Sequence, residues 1–272
     1  MVPNTPAPTE PTRQKSWDVA ICTKQLQELC DRLDQTGRAR LLASKEQGSG
    51  AWLHAYPTPA LGTLMDEACL RIAVALRIGA AICESHRCRC GAWIDRLGHH
   101  PLSCARSAGR HPRHAALNDV IKRALASANI ASNLEPVGLD RGDGKRPDGM
   151  TIFPFKNGKS LVWDATCANT FAASHVNNCA IQSGYAADQA ETAKVNKYRA
   201  LMDRYMFQPI SVETTGVLGY STKSFIADLG RRITRETGDP REASWLRQRL
   251  CIAIARGNAQ CILAAAKGEM LT

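Results

Sequence analysis

Apolar positions recur along the chain with two periods, and the change between them marks where helices give way to a sheet. From Trp17 to Leu42 the residues Val19, Ile21, Leu26, Leu29 and Leu33 predict one or two amphipathic helices ending near Gly37. The polar segment 44–50 reads as a loop, and Pro57 and Pro59 forbid a continuous helix over 51–62. Asp66–Cys83 reads as a helix with Leu70, Ala73, Val74 and Ile78 on one stripe, and His114–Ala128 as another with Leu117, Val120, Ile121 and Leu125 inward. The period then shortens. Asn133–Leu139 reads as an edge strand, because Pro136 removes a ladder donor, and Met150–Phe155 and Ser160–Trp163 read as a hairpin about Asn157-Gly158. Asp188–Phe207 returns to helix and Pro209–Leu218 to strand. Ser221–Arg235 and Glu242–Ala255 are helices parted by the turn 237–240, the second with Leu246, Leu250, Ile252 and Ile254 on its core side. The order helix, three strands, helix, strand predicts a mixed α/β fold of the α+β class.

Charge narrows the function classes. Net charge is +10, from 35 Lys and Arg spread along the 272 residues. Such a surplus favours a polyanionic partner, nucleic acid before acidic membrane. The helix that starts near His114 is the most basic, with Arg110, His111, Arg113, Lys122 and Arg123, and a polar loop brings Lys145 and Arg146 just before the hairpin. Arg110, Arg113, Lys122, Arg123, Lys145 and Arg146 are therefore candidate nucleic-acid contacts. The most apolar stretch, Ala68–Cys83, is interrupted by Arg71 and Arg77 and is too short to cross a bilayer. MVPNTPAPTEPT has neither a basic nor an apolar leader region, so an intracellular, non-secreted protein is expected. Eleven cysteines, an odd number at irregular spacing, then read as free or metal-bound thiols rather than a disulfide framework.

Two clusters carry chemistry. Within the segment CRCGAWIDRLGHHPLSC, Cys88, Cys90, one of His99 or His100, and Cys104 supply three thiolates and an imidazole, a tetrahedral set for structural Zn²⁺. The C-x-C spacing is tighter than the usual C-x2-C, Gly91 lets the turn aim amides at sulfur, and Cys83 and His86 stand just outside as substitutes. The second cluster is the hairpin itself. Asp148, directly after Pro147, stands at the threshold of the first strand, and Asp164 ends the apolar run of the next beside Trp163. Asp is disfavoured in a strand, and two carboxylates at one end of a hairpin suit the oxygen coordination of Mg²⁺. One geometric difficulty stands against this. If Asn157-Gly158 were the two loop residues, Thr151 would oppose Asp164 and Asp148 would fall on the other face, so Pro154 must break that register. Glu135 is a further candidate carboxylate or a solvated edge residue, and Asp119 the one acid on the basic helix.

The words CRCG, SCARSAGRHPRHAALNDVIKRAL, DGKRPDGMT and LVWDAT, in this order, resemble one region of a known kind of protein. It is the C-terminal part of non-LTR retrotransposon reverse-transcriptase proteins that carry a zinc knuckle followed by a restriction-like endonuclease; the likeness extends more weakly over most of the chain after Trp17. The resemblance implies a restriction-endonuclease-like core at 109–220 after a knuckle at 85–108. A helical section at 17–84 and a disordered stretch at 1–16 precede these, and C-terminal helices occupy 221–272. It implies a DNA endonuclease that nicks target DNA with catalytic Mg²⁺ on Asp148 and Asp164, with DNA and the RNA template as partners, and a DNA substrate in turn points to nuclear work. The H-x3-C spacing of the family selects His100 as the ligand. Restriction-like nucleases place a lysine two residues after the second acid; here Thr166 stands there, and the family's relocated lysine corresponds to Lys194 or Lys197. The departure leaves a rival expectation, a zinc-containing nucleic-acid-binding fragment whose cutting centre has decayed. No YxDD-like polymerase motif occurs.

Overall fold

The computed structural model describes residues 10, 12–139 and 146–266. Most of the stretch 1–16 and all of Lys145 lie outside these, although Gln14–Ser16 already belong to the first helix. In chain order the elements are α1 (Gln14–Arg32), α2 (Gln35–Lys45), α3 (Glu67–Ile78), β1 (His86–Arg87), β2 (Trp93–Ile94), α4 (Arg110–Ser127) and β3 (Ser132–Leu134). There follow β4 (Gly149–Thr151), β5 (Leu161–Ala168), α5 (Val176–Cys179), α6 (Tyr185–Lys197), β6 (Met206–Glu213), α7 (Tyr220–Thr237) and α8 (Glu242–Leu263). The fold is mixed α+β. No helix among the described residues is long and apolar enough to cross a membrane.

Local signals set several boundaries. Asp34 accepts the Gly37 amide at 2.7 Å and so opens α2 three residues before the expected stop at Gly37. Asp66 accepts the Cys69 amide at 2.8 Å at the start of α3, and Gly79, at φ 78°, closes that helix. The expected run to Cys83 is thus shorter. The stripe expected on α3 is also displaced: Cys69, Ile72, Ala73 and Leu76 are buried, whereas Leu70, Val74 and Ile78 are exposed. Both stripes fit helical spacing, and the choice falls to the Ile262 face of α8, against which Ile72 and Leu76 pack.

Four strands form one sheet in the order β3-β4-β5-β6, antiparallel, antiparallel and then parallel. The parallel step needs a crossover, and α5 and α6 supply it. β5, paired on both sides, is buried from Leu161 to Ala165. Leu117, Ile121 and Leu125 of α4 pack with Trp163, Ile210, Leu229, Leu250 and Ile254 in one core, so α7 and α8 complete the body begun by α4 and the sheet. At its far end α8 packs through Ile262 on α3 and on Leu102 beside the cysteine cluster.

The hairpin departs from a simple one in the way that Pro154 demands. At the tip, Lys156 bridges Lys159 about Asn157, which sits at φ 52°, so the Asn-Gly turn forms. In the strands Met150 pairs with Val162 and Gly149 with Trp163. Lys156 lies six positions after Met150 but Val162 only three after Lys159, so three extra residues loop out of the first strand. Pro154 has no N–H for the ladder, and the Thr151 hydroxyl holds the bend by accepting the Leu161 amide at 2.9 Å and donating to the Phe153 carbonyl at 2.8 Å. Three is odd, so the shift reverses the expected faces and brings Asp148 opposite Asp164 along the ladder.

Candidate metal centres

The cysteine-histidine cluster closes on itself. The ligand atoms of Cys88, Cys90, His100 and Cys104 all lie within 4.8 Å of one another, with Cys88 Sγ 3.8 Å from Cys104 Sγ and Cys90 Sγ 3.1 Å from His100 Nε2. β1 and β2 carry the first pair on a tight hairpin: the Cys88 amide donates to Ala92 O at 2.9 Å and the Gly91 amide to Cys88 O at 2.9 Å. A short 3-10 turn, His100–Leu102, presents His100, and Cys104 follows it with its amide donating to His100 O at 3.1 Å. A backbone bond from Ala92 holds the exposed Cys90 thiol down at about 6, favouring thiolate, whereas burial pushes the Cys104 thiol up. Three sulfurs and one imidazole at such spacing can hold a metal such as zinc. His99 faces elsewhere. Its ring stacks on Phe171 at 4.0 Å, its Nε2 meets Arg40 Nη2 at 3.3 Å, and burial with that guanidinium lowers its pKa to about 4. The two neighbouring substitutes are also engaged, His86 with the Glu84 and Ala265 carbonyls at 2.7 and 3.0 Å and Cys83 with the Asp95 carbonyl at 3.5 Å.

The acid centre is assembled from four elements. Asp148, at the threshold of β4, donates its amide to Trp163 O at 2.9 Å and accepts the Ala165 amide on Oδ2 at 2.6 Å. The same oxygen lies 2.9 Å from Nε2 of His114 on α4. Burial raises the Asp148 pKa, but hydrogen bonding and charge from His114 and the Ala165 amide outweigh it and the net shift is downward. His114 moves up, chiefly through the bond to Asp148, with the field of Asp164 adding in the same sense. The centre therefore holds an ionised carboxylate against an imidazole that favours its protonated form.

Asp164, buried at 3% exposure on β5, is engaged from α6. Lys194 Nζ is paired with its Oδ2, and the Tyr198 hydroxyl lies 3.0 Å from Oδ1 and 2.9 Å from the Arg146 carbonyl. Lys197 Nζ reaches the Tyr198 hydroxyl at 2.7 Å, one residue removed from the acid. Lys194 and Tyr198 are four apart and so share a helix face. The mixed helix-and-strand stretch expected as one helix over Asp188–Phe207 is interrupted: α6 stops at Lys197 and β6 begins at Met206.

Residues not singled out in the sequence hold these elements in register. Asn118 accepts from Trp163 Nε1 at 3.0 Å and sits 3.5 Å from His114 Nδ1, tying α4 to the strand between the acids. A Cβ on Gly149 would overlap the Trp163 indole, so only glycine permits that pairing. Glu213, at the end of β6, accepts the Ala186 amide at 3.0 Å, and Glu191 of α6 accepts the Ser221 and Thr222 amides at 2.8 Å each. Two buried carboxylates thus cap α6 and α7 and fix the helix that carries Lys194. Glu213 ends the strand β6 and Glu191 sits in the middle of a polar helix, so the sequence offers almost no signal for either.

The candidate phosphate contacts divide. Arg110 and Lys122 are exposed, Arg123 is exposed and paired with Asp119 at 2.8 Å, and Arg146 is paired with the exposed Glu135. Glu135 therefore points to Arg146 at the sheet edge. Arg113 is a correction. It is 3% exposed, with Nη1 bound to Asn258 Oδ1 and Nη2 to Leu102 O, both at 2.8 Å, which makes it a tether between α4, α8 and the cluster rather than a surface contact. No protein-family model matches the chain. The curated proteins yield no match either.

Proposed function

We propose that the chain is a metal-dependent DNA endonuclease domain of a non-LTR retroelement protein, with a restriction-endonuclease-like core and a structural zinc knuckle. The observation that carries this reading is that Asp148, at the threshold of β4, stands opposite Asp164 in the middle of β5, and that Lys194 of α6 pairs with Asp164 where Thr166 stands in the strand. The sheet order, with a helix before it and a helix crossing between its two parallel strands, supports the same reading.

The residues fit a divalent ion by their chemistry. Both carboxylates already meet nitrogen groups, His114 Nε2 at one and Lys194 Nζ at the other, and the Asp148 pKa is lowered. Asp148 and Asp164 would hold Mg²⁺, which when bound polarises a phosphoryl oxygen and acidifies water. Lys194 then supplies a positive charge to the phosphate undergoing attack, and Tyr198 orients Asp164. His114 keeps Asp148 anionic and aimed. The knuckle, closed by four protein ligands, acts by shape alone. DNA is the substrate, the RNA template a second partner and the nucleus the place of work.

Purified protein is tested on supercoiled and branched DNA with Mg²⁺, beside Asp148→Ala and Asp164→Ala. Nicking by the parent and a loss of about 10³-fold or more in both variants, with DNA affinity retained, is the expected result. Binding without nicking in Mg²⁺ and Mn²⁺ alike would replace this reading with that of a binding module.

A further inference from the structure

A cleft of about 530 Å³ lies between α4 and α8, on the side of α4 away from the acid centre. His114 and Asn118 face the acids, while Ala116, Val120 and Arg123 line the cleft, half a helical turn round the same cylinder. α8 contributes Arg249, Ile252 and Arg256, and the loop at Leu61 forms the third wall. The size is that of a ligand pocket, roughly 300–1,000 Å³.

Its composition is uneven in an informative way. The floor is apolar, through Val120 and Ile252, and Leu61 on the third wall is an exposed leucine. The charge is nearly all positive. Arg123 has Asp119 as its partner, but neither Arg249 nor Arg256 has a carboxylate partner among the described residues; Arg256 donates only to the Leu64 carbonyl, at 2.6 Å. Beneath them lies Arg113, which also borders the cleft. Among the described residues it is buried without a carboxylate partner, and its Nε has no hydrogen-bond partner. A buried cation lacking a counter-charge is costly, and an unpartnered buried donor adds to that cost. An anion in the cleft supplies the missing counter-charge. Gly257 is what lets the guanidinium lie there, since a Cβ would overlap the Arg113 stem.

We propose that this cleft is a second nucleic-acid contact, separate from the cleavage centre, which takes one nucleotide of a single strand. The base lies on the Val120 and Ile252 floor, and the phosphates meet Arg249, Arg256 and the field of Arg113. A single strand suits the site better than a duplex, because a paired base cannot reach an apolar floor. The proposal does not depend on the nuclease reading; a binding measurement tests it whether or not the protein cuts.

The test is fluorescence anisotropy of a labelled oligo-dT and of a duplex of equal length, on the full chain without divalent metal. Arg249→Glu with Arg256→Glu is compared with Arg231→Glu and Arg235→Glu, the same change of charge on α7. The cleft pair should weaken oligo-dT binding about tenfold or more and lower its salt slope by about one, against a much smaller effect of the α7 pair. In parallel the unaltered protein is photo-crosslinked to oligo-dT carrying 4-thiothymidine, with adducts expected in 60–64 or 249–260. Equal losses from the two pairs, or adducts elsewhere with none in those segments, would overturn the proposal. A duplex bound better than the single strand and equally dependent on Arg249 and Arg256 would also overturn it.

Discussion

The cysteine cluster and the acid centre differ in how they are built. The first draws all four ligands from one short segment, Cys88–Cys104, and needs only a hairpin and a 3-10 turn to bring them together. The second draws on α4, the threshold of β4, β5 and α6, so that Asp148, Asp164, His114 and Lys194 meet only when the whole sheet has formed. A local site tolerates change in the rest of the fold, because its geometry is closed within a loop. A distributed site inherits every register error in the scaffold, and its supporting residues carry as much of the geometry as its reactive ones. The largest test of that contrast lies on α6. Lys194→Ala should lower nicking by about 10²–10³-fold, the scale of one lost charge-stabilising donor, and Lys197→Ala by less than about tenfold. Equal effects from both lysines would mean that contact with Asp164 does not select between them.

The local site is sharpened by its adjacent histidines. His100→Ala should weaken zinc retention by about 10²-fold, a rough quarter share of the affinity of a structural site. His99→Ala should leave one zinc per chain and cost only about 1 kcal/mol, through its stack on Phe171. Metal content after dialysis and thermal melting read the two quantities separately. Loss of zinc from the His99 variant alone would reverse the assignment.

The same contrast explains what was legible in the sequence. Cys88, Cys90, Cys104 and a histidine at 99 or 100 could be read because spacing along the chain stands in for distance when a site is local, while the choice of His100 came from the resemblance and agrees with the cluster. Asp148 and Asp164 were legible as residue types, since a carboxylate beside Trp163 in an apolar strand demands a reason. Their register was not. An odd number of looped residues decides which face Asp148 takes, and only the geometry about Thr151 and Pro154 supplies it. Arg113 was misread for a related reason. A basic helix start looks like a phosphate site until Leu102 and Asn258, distant in sequence, turn out to be its partners. On α3 two stripes satisfied the helical period, and the partner helix chose the one through Ile72 and Leu76. Asn118, Glu191 and Glu213 left almost no signal, because a polar residue that satisfies a buried partner looks like any other.

Gly149 offers a way to disturb the distributed site without touching its chemistry. Gly149→Ala drives a methyl group into the Trp163 indole, an overpacking expected to cost about 1–3 kcal/mol. Since Trp163 lies between the acids and is tied to Asn118, nicking should fall as well, while zinc content stays at one per chain. Thermal melting and metal analysis on one sample make the comparison. Loss of zinc with the strand intact would show the two centres to be coupled through α4.

The smallest effect concerns the His114–Asp148 pair and appears as a pH dependence. The folded pKa of His114 is raised, so its contribution to stability is complete below the unfolded value of about 6.5 and is lost as pH rises through the folded pKa. The folded pKa of Asp148 is lowered, so its contribution is present above the unfolded value and is lost as pH falls through the folded one. The two therefore act together in the window above the unfolded Asp148 value and below the unfolded His114 value, about pH 4 to 6.5. With the imidazole half-exposed, solvent screening keeps the energetic effect to about 1 kcal/mol or less. NMR titration of the His114 ring reads it directly. The ring should titrate above the ordinary histidine value in the parent and return toward that value in Asp148→Asn. If the variant left the titration where it was, the upward shift would belong to Asp164 and the wider field of the site, and Asp148 would be aimed by the Ala165 amide alone.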